Sequence, residues 1–336
     1  MSTVYNIGSF NMYKLNFASN DETKKDFKKI AKIIKDEKFD IVALQEVLNE
    51  NVVKSYLIPA LGVNWDYSWS SPTPYTSSSN EGYAYIWNTR RVHLVGSETK
   101  AADDEENKRY KLYRRENYNK PNSNPVIYGW YRIKDKRDMG NGGLIRPPYV
   151  ARFTSDGLPG GCYEEIRLIN THIIFGKTSN SEIDMGDIAV RKAELKVLAE
   201  EIYRRVWSKT YKENSMPSFT ILLGDYNLCL VGNGGRIKEY IELDESRKLH
   251  VVQNELTTLK QVPKDGEKPL TEFFSNDYDH FAYESGFDEK MTIKASRVNA
   301  LESYLNNDLA EYRRTISDHV PIKLEVDLKK NKGVDF

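Results

Sequence analysis

At 336 residues the chain is long enough for two average domains or one large α/β domain, and no compositional break divides it. Lys plus Arg and Asp plus Glu both number 49, so the net charge is zero and no global field draws the molecule toward nucleic acid or a membrane; a polyanion would have to be gripped by a local basic cleft. Only two cysteines, Cys162 and Cys229, are present, which excludes a disulfide framework and a cysteine-rich zinc site and leaves free buried thiols as the expectation.

The first residues carry neither a basic region nor a long apolar stretch, and no run of about 18 apolar residues follows. The expectation is a soluble, cytoplasmic protein with no membrane partner. Residues 4–10 read as a strand running into Asn11. Asn20 or Asp21 then caps a helix whose apolar residues Phe27, Ile30 and Ile34 recur at intervals of three and four, with lysines on a solvated outer face. The apolar run 41–44 is a buried strand that ends in Gln45 and Glu46. Residues 50–58 suggest a short helix closed by Pro59, and 65–80, rich in aromatics, Ser and Pro, reads as a surface loop. Glu81 opens a strand over 81–87, and 92–95 is placed beside it through a turn at 88–91.

The segment 98–143 begins acidic (Asp103, Asp104, Glu105, Glu106), turns basic and aromatic (Arg109, Tyr110, Tyr113, Arg114) and holds one strand, 126–133. Basic residues interleaved with aromatics can line a nucleic-acid groove, yet the charges nearly cancel, so a solvated insertion is the preferred reading. Arg146 leads into a strand at 149–153. Strand 165–171 ends in His172, and a helix over roughly 188–207 aligns Leu195, Leu198, Ile202 and Val206 for packing on a sheet. It leads to the apolar run 219–223, which stops at Gly224 and is followed by Asp225 and Asn227. On an extended exit these two polar side chains face one ligand, although Gly-Asp-x-Asn is also ordinary turn chemistry. Residues 276–283 form a strand entered through an acidic turn that contains Asp279, 310–315 end a helix, and Ser317-Asp318-His319 precede a closing strand at 320–326. Strands that alternate with helices and end in polar groups place the chemistry at the carboxyl ends of an α/β layer.

The ordered series Asn11, Gln45-Glu46, Thr171-His172, Gly224-Asp-Tyr-Asn227, Tyr278-Asp279 and Ser317-Asp-His319 resembles the endonuclease/exonuclease/phosphatase superfamily, in particular its DNase I-like branch. Glu81, Arg146 and Thr257-Thr258 also have counterparts there. The resemblance implies a four-layer α/β sandwich, with two mixed β-sheets packed face to face and helices outside. It implies one catalytic domain over 1–328, carrying the 98–143 insertion and followed by a tail at 329–336. It further implies a Mg²⁺-dependent hydrolase of phosphodiesters, with Mn²⁺ or Ca²⁺ as alternative ions, held by Asn11 and Glu46 with Asp318 beside them. A hard cation of this kind prefers a few oxygen ligands and keeps several waters.

By the same resemblance Asp225 orients the attacking water and Asn227 bonds a phosphate oxygen. His319 pairs with Asp279 and acts as base or cationic clamp. His172 pairs with Glu81 as phosphate donor or leaving-group acid, and Arg146 contacts phosphate. The implied activity is a DNA endonuclease of low sequence specificity; a phosphatase, a lipid phosphodiesterase and an inactive binding module are the alternatives. A cytoplasmic nuclease of this kind also calls for restraint, through a regulatory partner or a special target. Three positions depart from the secreted enzymes of that branch: Leu48, His280 and Ser79 stand where an arginine, an arginine and a tyrosine that grip duplex DNA are expected.

Overall fold

The computed structural model describes residues 4–17, 24–70, 81–94, 146, 148–154, 165–173, 175, 191–208, 218–230, 249–252, 255–264, 266–284 and 292–327, and the backbone of 112–114, 127–129 and 155. Most of the 98–143 insertion, Ser79, Cys162 and the 329–336 tail lie outside the described residues.

The run Ser218–Asp225 is buried from Phe219 onward because it is an inner strand with both faces covered. Phe219, Ile221 and Leu223 point to one side, into a cluster with Leu168, Phe281 and Tyr283 of their own sheet and with Ile7, Ile41, Ala43 and Tyr85 of a second sheet. Leu222 points to the other side, where Leu195, Leu198, Ile202 and Val206 of the helical stretch 191–208 cover it. The second sheet is covered in its turn. Phe10, Met12, Leu44 and Val47 pack on Ile30, Ile33 and Ile34 of the helix Phe27–Asp36 and on Leu301, Leu309 and Tyr312. The result is four layers, with two sheets face to face and helices outside.

One sheet runs Thr292–Arg297, Ile322–Asp327, Val4–Leu15, Ile41–Val47, Gly82–Asn88, Trp65–Trp69. The other runs Leu249–Val252, Asp279–Glu284, Ser218–Asp225, Glu165–His172, Tyr149–Ser155, Ile127–Gly129, Leu112–Arg114, with Val92–Leu94 also on Tyr149–Ser155. Among the described residues each of these sheets contains one parallel pair, at its centre: Val4–Leu15 with Ile41–Val47 and Ser218–Asp225 with Glu165–His172. Parallel neighbours end at the same edge, so Asn11 lies in register with Gln45, and Asp225 with His172. The sheets are tied just beneath that edge by amides: Gln45 Nε2 donates to Asn170 Oδ1 (2.7 Å) and Asn170 Nδ2 to the Leu44 carbonyl (3.0 Å).

Several elements differ from the sequence reading. The first helix is capped by Asp26, whose carboxylate accepts from the Lys29 amide (3.0 Å), and not by Asn20 or Asp21. Helical structure runs through 50–61 because the chain widens into a π-turn, Val53–Leu57, just before Pro59, and it ends at Gly62. Trp65–Trp69 is an edge strand and not loop. It occupies one side of Gly82–Asn88 while Ile41–Val47 occupies the other, so Val92–Leu94 finds no place there and pairs across in the other sheet. Cys229 is a free thiol, half-buried. No helix among the described residues is long and apolar enough to cross a membrane.

Gly224 is the tightest point of the frame. It lies at φ +140°, and a Cβ there would meet the Thr171 carbonyl oxygen of the neighbouring parallel strand at 1.9 Å. Both strands carry site residues at their ends, so neither can yield. Gly224→Ala is expected to destabilise the fold by roughly 3–5 kcal/mol, from overpacking and backbone strain together. Urea unfolding checks this, and an unchanged midpoint would contradict it.

Candidate active site

Irregular backbone aims the side chains at this edge. Between Leu44 and Val47 the Ile41–Val47 strand carries one residue more than its antiparallel partner, and Glu46 sits in the left-handed region at φ 55°. Leu44 and Val47 therefore share the helix-facing core, and Glu46 is turned out of the alternation. A second irregularity in Val4–Leu15 follows Asn11, with Tyr13 and Lys14 at φ 43° and 53°. It brings the Lys14 amide to Glu46 Oε2 at 3.0 Å. Asn227 is also left-handed, φ 49°, so the exit from Ser218–Asp225 is a turn and not extended. Its backbone N–H donates to Asp225 Oδ1 (2.8 Å), and its Nδ2 to the Ile173 carbonyl (2.8 Å).

The chemistry converges on one atom, Asp225 Oδ2. Asn11 Nδ2 donates to it at 2.9 Å, and the Nε2 atoms of His172 and His319 both lie 3.7 Å away. Each imidazole is backed by an acid. His319 Nδ1 lies 2.7 Å from Asp279 Oδ2, which also accepts from Thr257 Oγ1 at 2.6 Å. His172 Nδ1 lies 3.1 Å from Glu81 Oε2, and Arg146 Nη2 stands 3.1 Å from the same oxygen, close contacts without hydrogen-bond alignment. Arg146 keeps two buried guanidinium nitrogens, Nε and Nη1, without an acceptor among the described residues. The structure thus assembles Asn11, Glu46, Glu81, Arg146, His172, Asp225, Asn227, Asp279, Asp318 and His319 at one edge, from strands of both sheets and the connections around them.

Burial raises the Asp225 carboxyl above its ordinary value, opposed by His319 and His172. Burial alone would strip the proton from His319, yet Asp279 and Asp225 outweigh it and hold the imidazole well above its usual range. A buried cation facing buried carboxylates is therefore the resting arrangement around His319.

Two donor sets fit a divalent cation. The set expected from the sequence is Asn11, Glu46 and Asp318: Glu46 Oε1 accepts from Asn11 Nδ2 at 3.0 Å, while Asp318 Oδ1 is buried with no donor among the described residues. As placed, Asn11 turns Nδ2 to both carboxylates and its Oδ1 to the Tyr13 amide (2.9 Å), so ligation through Oδ1 requires the carboxamide to turn over. The other set is Asp225, Asp279 and His319, whose ligand atoms lie within 4.8 Å of one another; Asp279 Oδ1 is likewise an orphaned buried oxygen. Undonated carboxylate oxygens are what a hard cation fills.

Some participants were not legible as site residues. Lys25 reads as one more surface lysine, but its amine is buried and donates to the Ile316 carbonyl at 2.7 Å. Burial lowers its pKa to about 8 against the pull of Asp318 and Glu46. Ser317 Oγ donates to the Asn11 carbonyl (2.6 Å) and accepts from the His319 amide (3.2 Å), tying the last motif to the first. Arg313 Nη2 stands 3.6 Å from Asp318 Oδ2. Of the three departures, His280 is fully buried with Nε2 2.9 Å from the Leu228 carbonyl, so a side chain there supports the Asn227 turn and does not face a ligand.

Two mixed sheets in four layers, with polar residues gathered where the parallel strands end, make this the DNase I-like α/β sandwich. The chain belongs to the Endonuclease/Exonuclease/phosphatase family, whose model matches residues 4–281. Members of this family are hydrolases acting on phosphoester bonds. Among solved structures, the fold is similar to that of an endonuclease/exonuclease/phosphatase family protein from Bacteroides thetaiotaomicron, with TM-score 0.56, 14% identity, and coverage of 98% of this chain and 100% of that one. It is also similar to D. rerio TDP2 complexed with a single-strand DNA product, with TM-score 0.52, 13% identity and coverage of 96% and 98%. A mannosyl-6-phosphatase from B. thetaiotaomicron scores 0.51, at 14% identity and coverage of 96% and 99%. No curated protein sequence matches the chain significantly.

Proposed function

We propose that this protein is a metal-dependent phosphodiesterase that cuts DNA internally with low sequence specificity. The observation that carries the reading is the pair of acid–histidine units, Glu81–His172 and Asp279–His319, whose Nε2 atoms flank Asp225 Oδ2 at 3.7 Å each. Phosphodiester hydrolysis needs a base for water on one side of phosphorus, an acid for the departing oxygen on the other, and positive charge between.

Asp225, its carboxyl raised by burial, orients the attacking water and accepts its proton. His319, held protonated by Asp279, donates to a phosphoryl oxygen and stabilises the charge that builds there; its raised proton affinity favours this clamp over the role of base. His172, beside Glu81, supplies a proton to the leaving alkoxide as the P–O bond to it breaks and the bond to the water oxygen forms. Arg146 offers its unsatisfied nitrogens to a phosphate oxygen. Asn227 uses one amide hydrogen on Ile173 and keeps the other for the same purpose. Glu46 and Asp318, with Asn11 if its carboxamide turns, would hold the cation. When bound, Mg²⁺ neutralises charge on the phosphoryl and leaving oxygens.

Supercoiled plasmid incubated with Mg²⁺, Mn²⁺ or Ca²⁺ across a salt series tests the reading. Nicking that needs a divalent ion, stops with EDTA and falls steeply with salt is expected, because phosphate contacts lead the binding. Intact plasmid combined with phosphate release from a phosphomonoester would replace the endonuclease by a phosphatase on the same site.

A further inference from the structure

We infer that Phe175 and Tyr278 form a stacking platform for an unpaired nucleobase beside the scissile phosphate; the inference rests on the nucleic-acid reading above. Phe175 is 44% exposed, although it lies only three residues beyond His172. Tyr278 immediately precedes Asp279 and is half-buried. The two rings stand 6.3 Å apart at 50°.

A single exposed phenylalanine is ordinary and requires no explanation. This one is held in place. The guanidinium of Arg191, itself buried, lies 5.2 Å from the Phe175 ring centroid and hydrogen-bonds Tyr278. Its Nη1 donates to the Asn227 carbonyl at 2.6 Å. Both rings are also mounted on site backbone: the Ile173 amide donates to the Asp225 carbonyl (2.9 Å), and the Tyr226 amide to the Tyr278 carbonyl (2.8 Å). One cation therefore locks the two rings to the turn that carries Asp225 and Asn227. A substrate whose phosphate occupies that turn carries its next base toward the rings.

The exposed Phe175 ring offers a sequence-tolerant stacking contact to the planar ring of any base. Bases inside a duplex have both faces covered, so the platform favours single-stranded DNA.

The test uses the His319→Ala protein with Mg²⁺, to bind without cleaving, and fluorescein-labelled oligothymidylate against a chain of equal length made of abasic residues. Anisotropy should show binding of oligothymidylate about tenfold tighter than of the abasic chain. Adding Phe175→Ala should remove that preference, and Phe175→Trp should restore it. A merely structural Phe175 would weaken both ligands alike. Retention of the preference in Phe175→Ala, or its absence in the parent protein, overturns the platform. If the wild type nicks plasmid but the parent shows no preference for bases, the platform alone falls. If wild type neither nicks DNA nor binds either chain, the nucleic-acid reading falls and takes the platform with it.

Discussion

Replacing His319 by alanine is expected to reduce DNA cleavage by about 10²–10⁴-fold, mostly in kcat, because the change removes a group that acts on the transition state. The residue is a buried cation between Asp279 Oδ2 at 2.7 Å and Asp225 Oδ2 at 3.7 Å. Its removal leaves two buried carboxylates facing each other, so lost activity must be separated from lost fold. His319→Gln retains a donor without the charge, and thermal unfolding of both variants shows whether the protein still folds. A folded Gln variant with near wild-type kcat would sink the proposed clamp.

Asp279→Asn gives the complementary result. Asp279 is the chief attraction that holds the His319 proton against burial. With that charge gone, the imidazole pKa falls and the protonated, active form is lost at lower pH. The alkaline limb of the kcat profile should therefore move to lower pH in Asp279→Asn, and an unmoved limb would separate His319 from the chemistry.

Removing Glu46 is expected to have an effect of similar size by another route. Glu46 is turned out of its strand by the extra residue there, is held by the Lys14 amide and Asn11, and belongs with Asp318 to the donor set proposed to hold the cation. Glu46→Ala should weaken Mn²⁺ binding, measured by calorimetry, by at least roughly 10–100-fold and lower cleavage accordingly. Divalent ion should raise the melting temperature of wild type and not that of Glu46→Ala, since a ligand that binds only the folded state stabilises it by mass action. Equal Mn²⁺ affinity in the two proteins would move the ion to Asp225, Asp279 and His319.

The elements that were misread share a cause. Pairing partners are long-range: Val92 and Trp65 both have strand composition, and only the occupied edges of Gly82–Asn88 decide which of them joins it. The cap of the first helix was misplaced because Asn20, Asp21 and Asp26 are all competent capping residues; the Thr315 carbonyl, which accepts the Asp26 amide, belongs to a distant helix. The same holds for Lys25, one of four lysines between 24 and 29, whose burial follows from the Ile316 carbonyl and the acids around it.

By itself the sequence carried the family, through the ordered motifs Asn11, Gln45-Glu46, Thr171-His172, Gly224-Asp-Tyr-Asn227, Tyr278-Asp279 and Ser317-Asp-His319, and the sandwich followed as what that resemblance implies. It also determined which polar residues lie at strand ends, since a strand end is a local property of the chain. Only the tertiary structure decided how those residues face one another. Glu46 reaches its position through left-handed backbone that propensity does not favour for a glutamate, and Asp225 Oδ2 stands between two histidines only because its strand lies parallel to the one that ends in His172, while His319 arrives on the connection to the closing strand of the other sheet. Such backbone persists where the surrounding packing over-determines it, and that packing is made of contacts between residues far apart in the chain.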